Sequence, residues 1–209
     1  MNKTRLEAFS DGVFAILITI LVLELRIPHG DDLSALGPLL PVFLTYILSF
    51  IYLGIYWNNH HHMLQAAHHV NGKIMWANLH LLFWLSLVPF TTGWMGENHF
   101  APLPTALYGI VMFGSAISYT VLQSFIIANH KDEDRGLAKA VGNDLKGKVS
   151  ILLYATAIAL AFVNQWISDA IYVSVAAIWF IPDRRIERRI DHQSEHRKLH
   201  LLLDDKVYC

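Results

Sequence analysis

The sequence predicts an all-α membrane protein of six transmembrane helices, on three observations. Hydrophobic residues make up 54% of the 209 and charged residues only 16%, well below the ~25% charged of a soluble domain. Long stretches carry no charge at all: 33–57, 74–95, 101–129 and 149–168. Each is of the order of the ~20 residues that cross a bilayer as a helix. Lys and Arg fall almost wholly on alternate connections. With the N-terminus inside, 15 of the 16 lie on the inner side, and only Arg26 lies outside, as the positive-inside rule requires. A mean hydropathy of +0.38 excludes a disordered chain. One cysteine, at the last position, excludes a disulfide scaffold. A net charge of −1 provides no field to recruit nucleic acid.

The first helix is expected at 4–26. Its apolar run from Gly12 to Leu23 is short, and becomes a span once Glu7 and Asp11 are carried at its inner end. Glu24-Leu25-Arg26-Ile27-Pro28 follows it with no small-residue cleavage site, unlike a signal peptide. The second, third and fourth helices are expected at 38–60, 73–95 and 101–129. The fifth and sixth are expected at 149–167 and 168–182, or as one broken or re-entrant unit. Residues 1–182 therefore form a six-helix transmembrane repeat. The remainder, 183–209, alternates Arg184, Arg185, Arg188 and Arg189 with Ile186 and Ile190. It reads as a cytoplasmic basic amphipathic tail at the inner leaflet, in contact with lipid, or as a solvated stop-transfer segment. Trp57, Trp84, Trp94 and Trp166 fall near span ends, as interfacial aromatics do.

At about 100° per residue, Arg5, Phe9, Gly12, Thr19, Ile20 and Leu23 all lie within about 60° of Ile16. They form one stripe along the first helix. Ser10 and Asp11 lie off it, and Asp11 needs a partner from another helix. Periodicity does not distinguish a pore stripe from a packing stripe.

The segment Arg5-Leu6-Glu7-Ala8-Phe9-Ser10-Asp11-Gly12 resembles the R-x-x-x-F-S-D-G signature that opens the transmembrane protein 175 family of potassium channels. Val13 to Glu24 is similar to that family's first helix. Tyr56-Trp57-Asn58-Asn59-His60-His61-His62, Trp76 to Trp84, and Pro89-Phe90 resemble its bacterial members. The resemblance covers the first four helices by sequence, and the last two mainly by length and hydropathy. It implies a homotetramer whose first helices line a central pore, conducting potassium passively with no cofactor and no enzymatic step. It places Ile16 at the central constriction, Thr19 as the hydroxyl residue of the filter region, and Ile20 and Leu23 as the apolar lining beyond. The family lacks the T-V-G-Y-G filter of ordinary potassium channels, and so does this sequence. Arg5, Phe9, Ser10, Asp11 and Gly12 then form a structural motif, with Asn78 and His80 on the third helix as expected interhelical partners of its polar members. The expected location is the inner or plasma membrane, both termini cytoplasmic. Glu24, Asp31, Asp32, Glu97 and Asp169 would concentrate cations at the outer mouth, or merely reflect outer loops poor in Lys and Arg.

Two other classes remain open from the residues. A proton-coupled or other secondary transporter needs a membrane-buried acid at mid-depth or broken helices, and Asp169 is its candidate. A metal-dependent membrane enzyme would use His60, His61, His62, His68 and His69. No carboxylate lies near them in sequence and no H-E-x-x-H pattern occurs, so no metal site is assigned. The same histidines suit a pH-sensing role. Gly114 with Ser118, and Ala157 with Ala161, are small-residue pairs that bring helices close.

Overall fold

The structure is a computed structural model, and it describes residues 2–67, 69–129 and 144–180. The tail 183–209, His68 and the connection 130–143 lie outside the described residues. Those described contain no strand. They form α1 (Lys3–Leu23), a 3-10 helix (Leu33–Leu39), α2 (Leu40–Ala66), α3 (Gly72–Ser86), α4 (Val88–Glu97), α5 (Pro102–Ala128), α6 (Leu145–Leu160) and α7 (Gln165–Phe180).

Local chemistry sets the boundaries. The side chain of Asn2 caps α1 by accepting from the Thr4 N–H, and α1 ends at Leu23 with Glu24 as its C-cap. The Asp32 carboxylate caps the 3-10 helix at the Ala35 N–H. Pro41 in the first turn of α2 costs nothing, because its missing N–H would have had no helical partner there. At 27 residues, α2 is about 40 Å long, longer than ~30 Å of hydrocarbon. It runs past the expected end at residue 60, so His60, His61 and His62 are helical and not part of a loop.

The third expected span is two helices. They meet at Leu87, which is the C-cap of α3 and the N-cap of α4. Pro89 explains the joint, since it has no N–H to donate and its ring crowds the carbonyl four residues back. Together Gly72–Glu97 is still apolar and long enough to cross a membrane, as are α1, the 3-10 helix with α2, and α5. The last two helices differ from expectation in register. The Asp144 carboxylate accepts from the Gly147 N–H, which starts α6 earlier. The Asn164 side chain accepts from the Trp166 N–H, which starts α7 at Gln165 and moves Trp166 and Ile167 from the fifth helix to the sixth. The two are separate helices, of 16 residues each.

α1 packs on α2 and on the α3–α4 pair. α5 packs behind that pair, and α6 and α7 form a hairpin against α5, with α7 closing onto α2. The centre of this bundle holds Tyr52, Tyr108, Tyr154 and Tyr172, all fully buried and contributed by α2, α5, α6 and α7. Their hydroxyls are tied in: Tyr52 donates to the Tyr172 carbonyl and Tyr172 to the Thr105 carbonyl. Two glycines of α5 set how closely its neighbours approach. A Cβ at Gly114 would run into the Trp84 ring, and one at Gly109 into the Tyr172 hydroxyl and Ile158.

Candidate functional site

One face of α1 is buried and the opposite face is not. Leu6, Ser10, Phe14, Leu17 and Leu21 point into the bundle. Arg5, Phe9, Gly12, Ile16, Thr19, Ile20 and Leu23 are all exposed on the single chain. The apolar side chains among them are unusually bare: Phe9 is 51% exposed, Ile16 59%, Ile20 37% and Leu23 78%. No Cβ built on Gly12 meets anything within 4 Å. The stripe is therefore continuous from the N-terminal end of the helix to its C-terminal end. Its chemistry is apolar except for Arg5 and Thr19. The Thr19 hydroxyl donates to the Ile16 carbonyl at 2.8 Å. That bond uses the hydroxyl's one proton and leaves the lone pairs of Oγ1 as an acceptor on the exposed face.

Nearer the N-terminal end of α1, its buried side is held by a polar chain. Ser10 Oγ donates to the Leu6 carbonyl at 2.9 Å, and Asn78 Nδ2 donates to Ser10 Oγ at 3.0 Å. Asn78 Oδ1 in turn meets His60 Nε2 at 2.6 Å. Ser10, Asn78 and His60 are each at most 1% exposed, so each depends on the next for satisfaction. The His60 ring also packs on Phe14. Three helices, α1, α2 and α3, are thereby keyed together beneath Gly12.

Asp11 takes a different partner, the indole of Trp57, whose Nε1 donates to Oδ1 at 3.0 Å. The antiparallel α1–α2 contact continues to the N-terminal end of α1. Lys3 Nζ donates to the Gln65 carbonyl at 2.7 Å, so Lys3 and Asp11, eight residues apart on α1, meet Gln65 and Trp57, eight apart on α2. Lys3 and Glu7 also form an ion pair at 3.8 Å.

The expectation for Asn78 and His80 divides. Asn78 pairs with Ser10. His80 does not reach the motif: its Nε2 accepts from Trp84 Nε1 at 3.1 Å, and its Nδ1 meets Ser118 Oγ at 3.1 Å. Gly114 and Ser118 receive that pair of rings. Arg5 makes no ion pair among the described residues. Trp57 and His60 are further partners of the motif. The signal for Trp57 is its spacing of eight from Gln65, matching that of Asp11 from Lys3, which emerges only when α1 and α2 are set antiparallel; His60 has no such signal. Among the described residues no group of three or more His, Cys, Asp or Glu is placed to hold a metal ion.

At the C-terminal end of α1 the carboxylate of Glu24 lies against Gly93 of α4. Arg26 is paired with Glu97 at 2.6 Å, both side chains largely exposed. An open groove of about 350 Å³ runs from Ile20 past Glu24 to Trp94 and Glu97.

A family model described as the endosomal/lysosomal potassium channel TMEM175 matches residues 5–89. A protein of Chryseobacterium sp., named a potassium channel, is 54% identical over 190 residues, covering 91% of this chain and 98% of that one. The chain belongs to the TMEM175 family. Another TMEM175 relative, from Streptomyces collinus and also named a potassium channel, is 33% identical over 78% of this chain and 85% of its own length. The crystal structure of a lysosomal potassium-selective channel TMEM175 homolog from Chamaesiphon minutus superposes with a TM-score of 0.74 at 28% identity, covering 87% of this chain and 97% of that one. The Gallus gallus protein named endosomal/lysosomal proton channel TMEM175 matches more narrowly, 40% identical over 73 residues and 15% of its length. The TMEM175 fold makes this chain an all-α, multi-pass membrane protein.

Proposed function

We propose that this chain is a potassium-selective cation channel, assembled as a homotetramer about the exposed stripe of α1. The observation that carries the reading is that stripe: a continuous apolar face, bare on one chain, on the helix that opens with the family motif. The names of the bacterial relatives support potassium as the permeant ion. The proposed location is the inner or plasma membrane, with both termini cytoplasmic and 15 of 16 Lys and Arg on that side, as the positive-inside rule requires.

Conduction is passive. Four Ile16 side chains at the axis give an ion no ligand, so the ring gates by dewetting and charges each ion the cost of shedding water. Potassium sheds water more readily than sodium, and the ring favours it on that ground. Thr19, one turn further out, offers four hydroxyl oxygens with their lone pairs free. Backbone carbonyls cannot take this role, because the helix uses them. Ile20 and Leu23 extend the apolar lining outward, while Ser10, Asp11 and Asn78 hold α1 at fixed rotation.

The test is ion flux from purified protein in liposomes, potassium and sodium gradients compared, for the native chain and Ile16→Asn. The expected result is potassium-preferring downhill flux, with the substitution increasing sodium passage. Flux unaffected by the substitution removes Ile16 from the constriction. A second reading, proton passage through the same pore, draws on the name of the vertebrate relatives. A pH-sensitive dye inside the same liposomes separates it.

A further inference from the structure

The groove at the C-terminal end of α1 has chemistry that the pore does not use. Its volume is about 350 Å³, and its walls include Ile20 and Glu24 from the end of α1 and Phe90, Gly93, Trp94 and Glu97 of α4. Phe90 and Trp94 stand one turn apart, with ring centroids 6.3 Å apart and planes 20° from parallel. Phe90 is exposed. Gly93 lies on the turn between them, and a Cβ there would press on the Glu24 carboxylate. The carboxylate therefore rests on the turn of α4 that carries both rings.

This groove carries one uncompensated negative charge. Arg26 is the one Lys or Arg between Arg5 and Lys73, and none lies in 74–130. Arg26 pairs with Glu97 at 2.6 Å, so those two charges cancel at the rim. Glu24 takes part in no ion pair among the described residues, and it is exposed. The C-terminal end of α1 adds partial negative charge from its unpaired carbonyls.

We propose that this groove binds an organic monocation from solution, a protonated amine or quaternary ammonium with a small apolar body. The two kinds of wall match the two parts of such a ligand. Aromatic rings attract a cation to their faces, and Ile20, Phe90 and Trp94 take apolar groups out of water. Glu24 supplies the opposite charge. A potassium ion would use only that charge and leave the apolar walls bare. The volume falls in the ~300–1,000 Å³ range of small-molecule sites, and the largely exposed Arg26–Glu97 pair at the rim opens the groove to water. A ligand here lies against Ile20, at the edge of the α1 stripe, and narrows the path along it. That consequence rests on the pore reading; the binding does not.

The experiment titrates the purified assembly in maltoside detergent with choline and with tetramethylammonium, followed by saturation-transfer NMR. The neutral alcohol in which carbon replaces the choline nitrogen is the control. The expected result is saturable binding of both cations and none of the alcohol at equal concentration. Glu24→Gln and Trp94→Leu each weaken choline binding by about two- to fivefold, and Glu24→Asp retains more of it than Glu24→Gln. Phe90→Leu, at an exposed ring, serves if Trp94→Leu does not fold. Equal binding of the alcohol overturns the proposal, as does choline binding unchanged in Glu24→Gln. So does an assembly that binds neither cation, the outcome if a neighbouring subunit fills the groove. In liposomes, choline is expected to slow potassium flux through the native protein more than through Glu24→Gln. Binding that leaves flux unchanged would count against α1 at the axis and not against the site.

Discussion

The hydroxyl proton of Thr19 is spent on the Ile16 carbonyl, and this makes the side chain a directed acceptor rather than a freely rotating dipole. Serine can make the same bond, while valine keeps the shape and loses the oxygen. A neutral hydrogen-bonding contact is worth about 0.5–1.5 kcal/mol, so Thr19→Val is expected to reduce potassium-over-sodium preference by about two- to tenfold, with Thr19→Ser near native. Reversal potentials under bi-ionic conditions measure this directly, and equal preference in all three proteins would remove Thr19 from the filter. A second prediction concerns the chain Ser10–Asn78–His60. Asn78→Leu strips the buried His60 ring of its partner and removes the donor to Ser10 Oγ, which keeps its bond to the Leu6 carbonyl, whereas Ser10→Ala strands only one N–H of the Asn78 amide. An unsatisfied buried group costs about 1–3 kcal/mol, so Asn78→Leu is expected to lower the melting temperature in detergent by more than Ser10→Ala does. The reverse order would mean that His60 finds another partner when Asn78 is lost.

At the scale of elements, α5 is shaped by what it must receive. Trp84 lies flat over Gly114 and is pinned by its own Nε1 to His80, so the ring cannot swing away from an added methyl. Gly114→Ala is expected to destabilise by about 1–3 kcal/mol through overpacking, although alanine is the better helix former. Gly12→Ala, with open space around it on the single chain, lacks that penalty within the chain. Thermal melting of the two variants checks the contrast. The same elements separate what a sequence reader sees from what is hidden. The stripe on α1 was legible because it belongs to one helix and needs only its period. Four helix positions were legible from charge-free runs, but α2 was ended too early because His60–His62 interrupt the apolar run without interrupting the helix. The joint at Leu87 had its signal in Pro89, which the length of the apolar run concealed. The turn at 161–164 was misplaced because Ala161-Phe162-Val163 continue the apolar run, with only Asn164 to mark the cap. His80 faces Ser118, 38 residues away on another helix, and nothing near His80 in the sequence points to it. Such pairings depend on how helices are rotated against each other, and no local pattern records that rotation.

At the scale of the whole molecule, the stripe requires covering. A face with Phe9, Ile16, Ile20 and Leu23 exposed faces the axis of an assembly only if every α1 has the same rotation, because a turn of the helix by one residue replaces Ile16 with a neighbour about 100° away. The bond from Trp57 Nε1 to Asp11 Oδ1 fixes that rotation about 100° around the helix from the polar chain of Ser10. Hydrogen bonds to a charged group are worth about 1.5–3 kcal/mol, enough to shift an assembly equilibrium about ten- to a hundredfold if each subunit must hold its helix in place to join. Asp11→Ala is therefore expected to reduce the yield of tetramer on size-exclusion chromatography, while tetramers that do form keep the native ion preference in liposomes. Trp57→Phe removes the same bond from the other side and should act alike. If the bond is the common cause, the double variant loses little more than either single one, since neighbours in one interaction are not additive. Normal assembly with altered ion preference would instead place Asp11 in the permeation path. Additive losses would mean that Asp11 and Trp57 act through separate contacts, and the rotation of α1 would then rest on the chain from Ser10 through Asn78 to His60 alone.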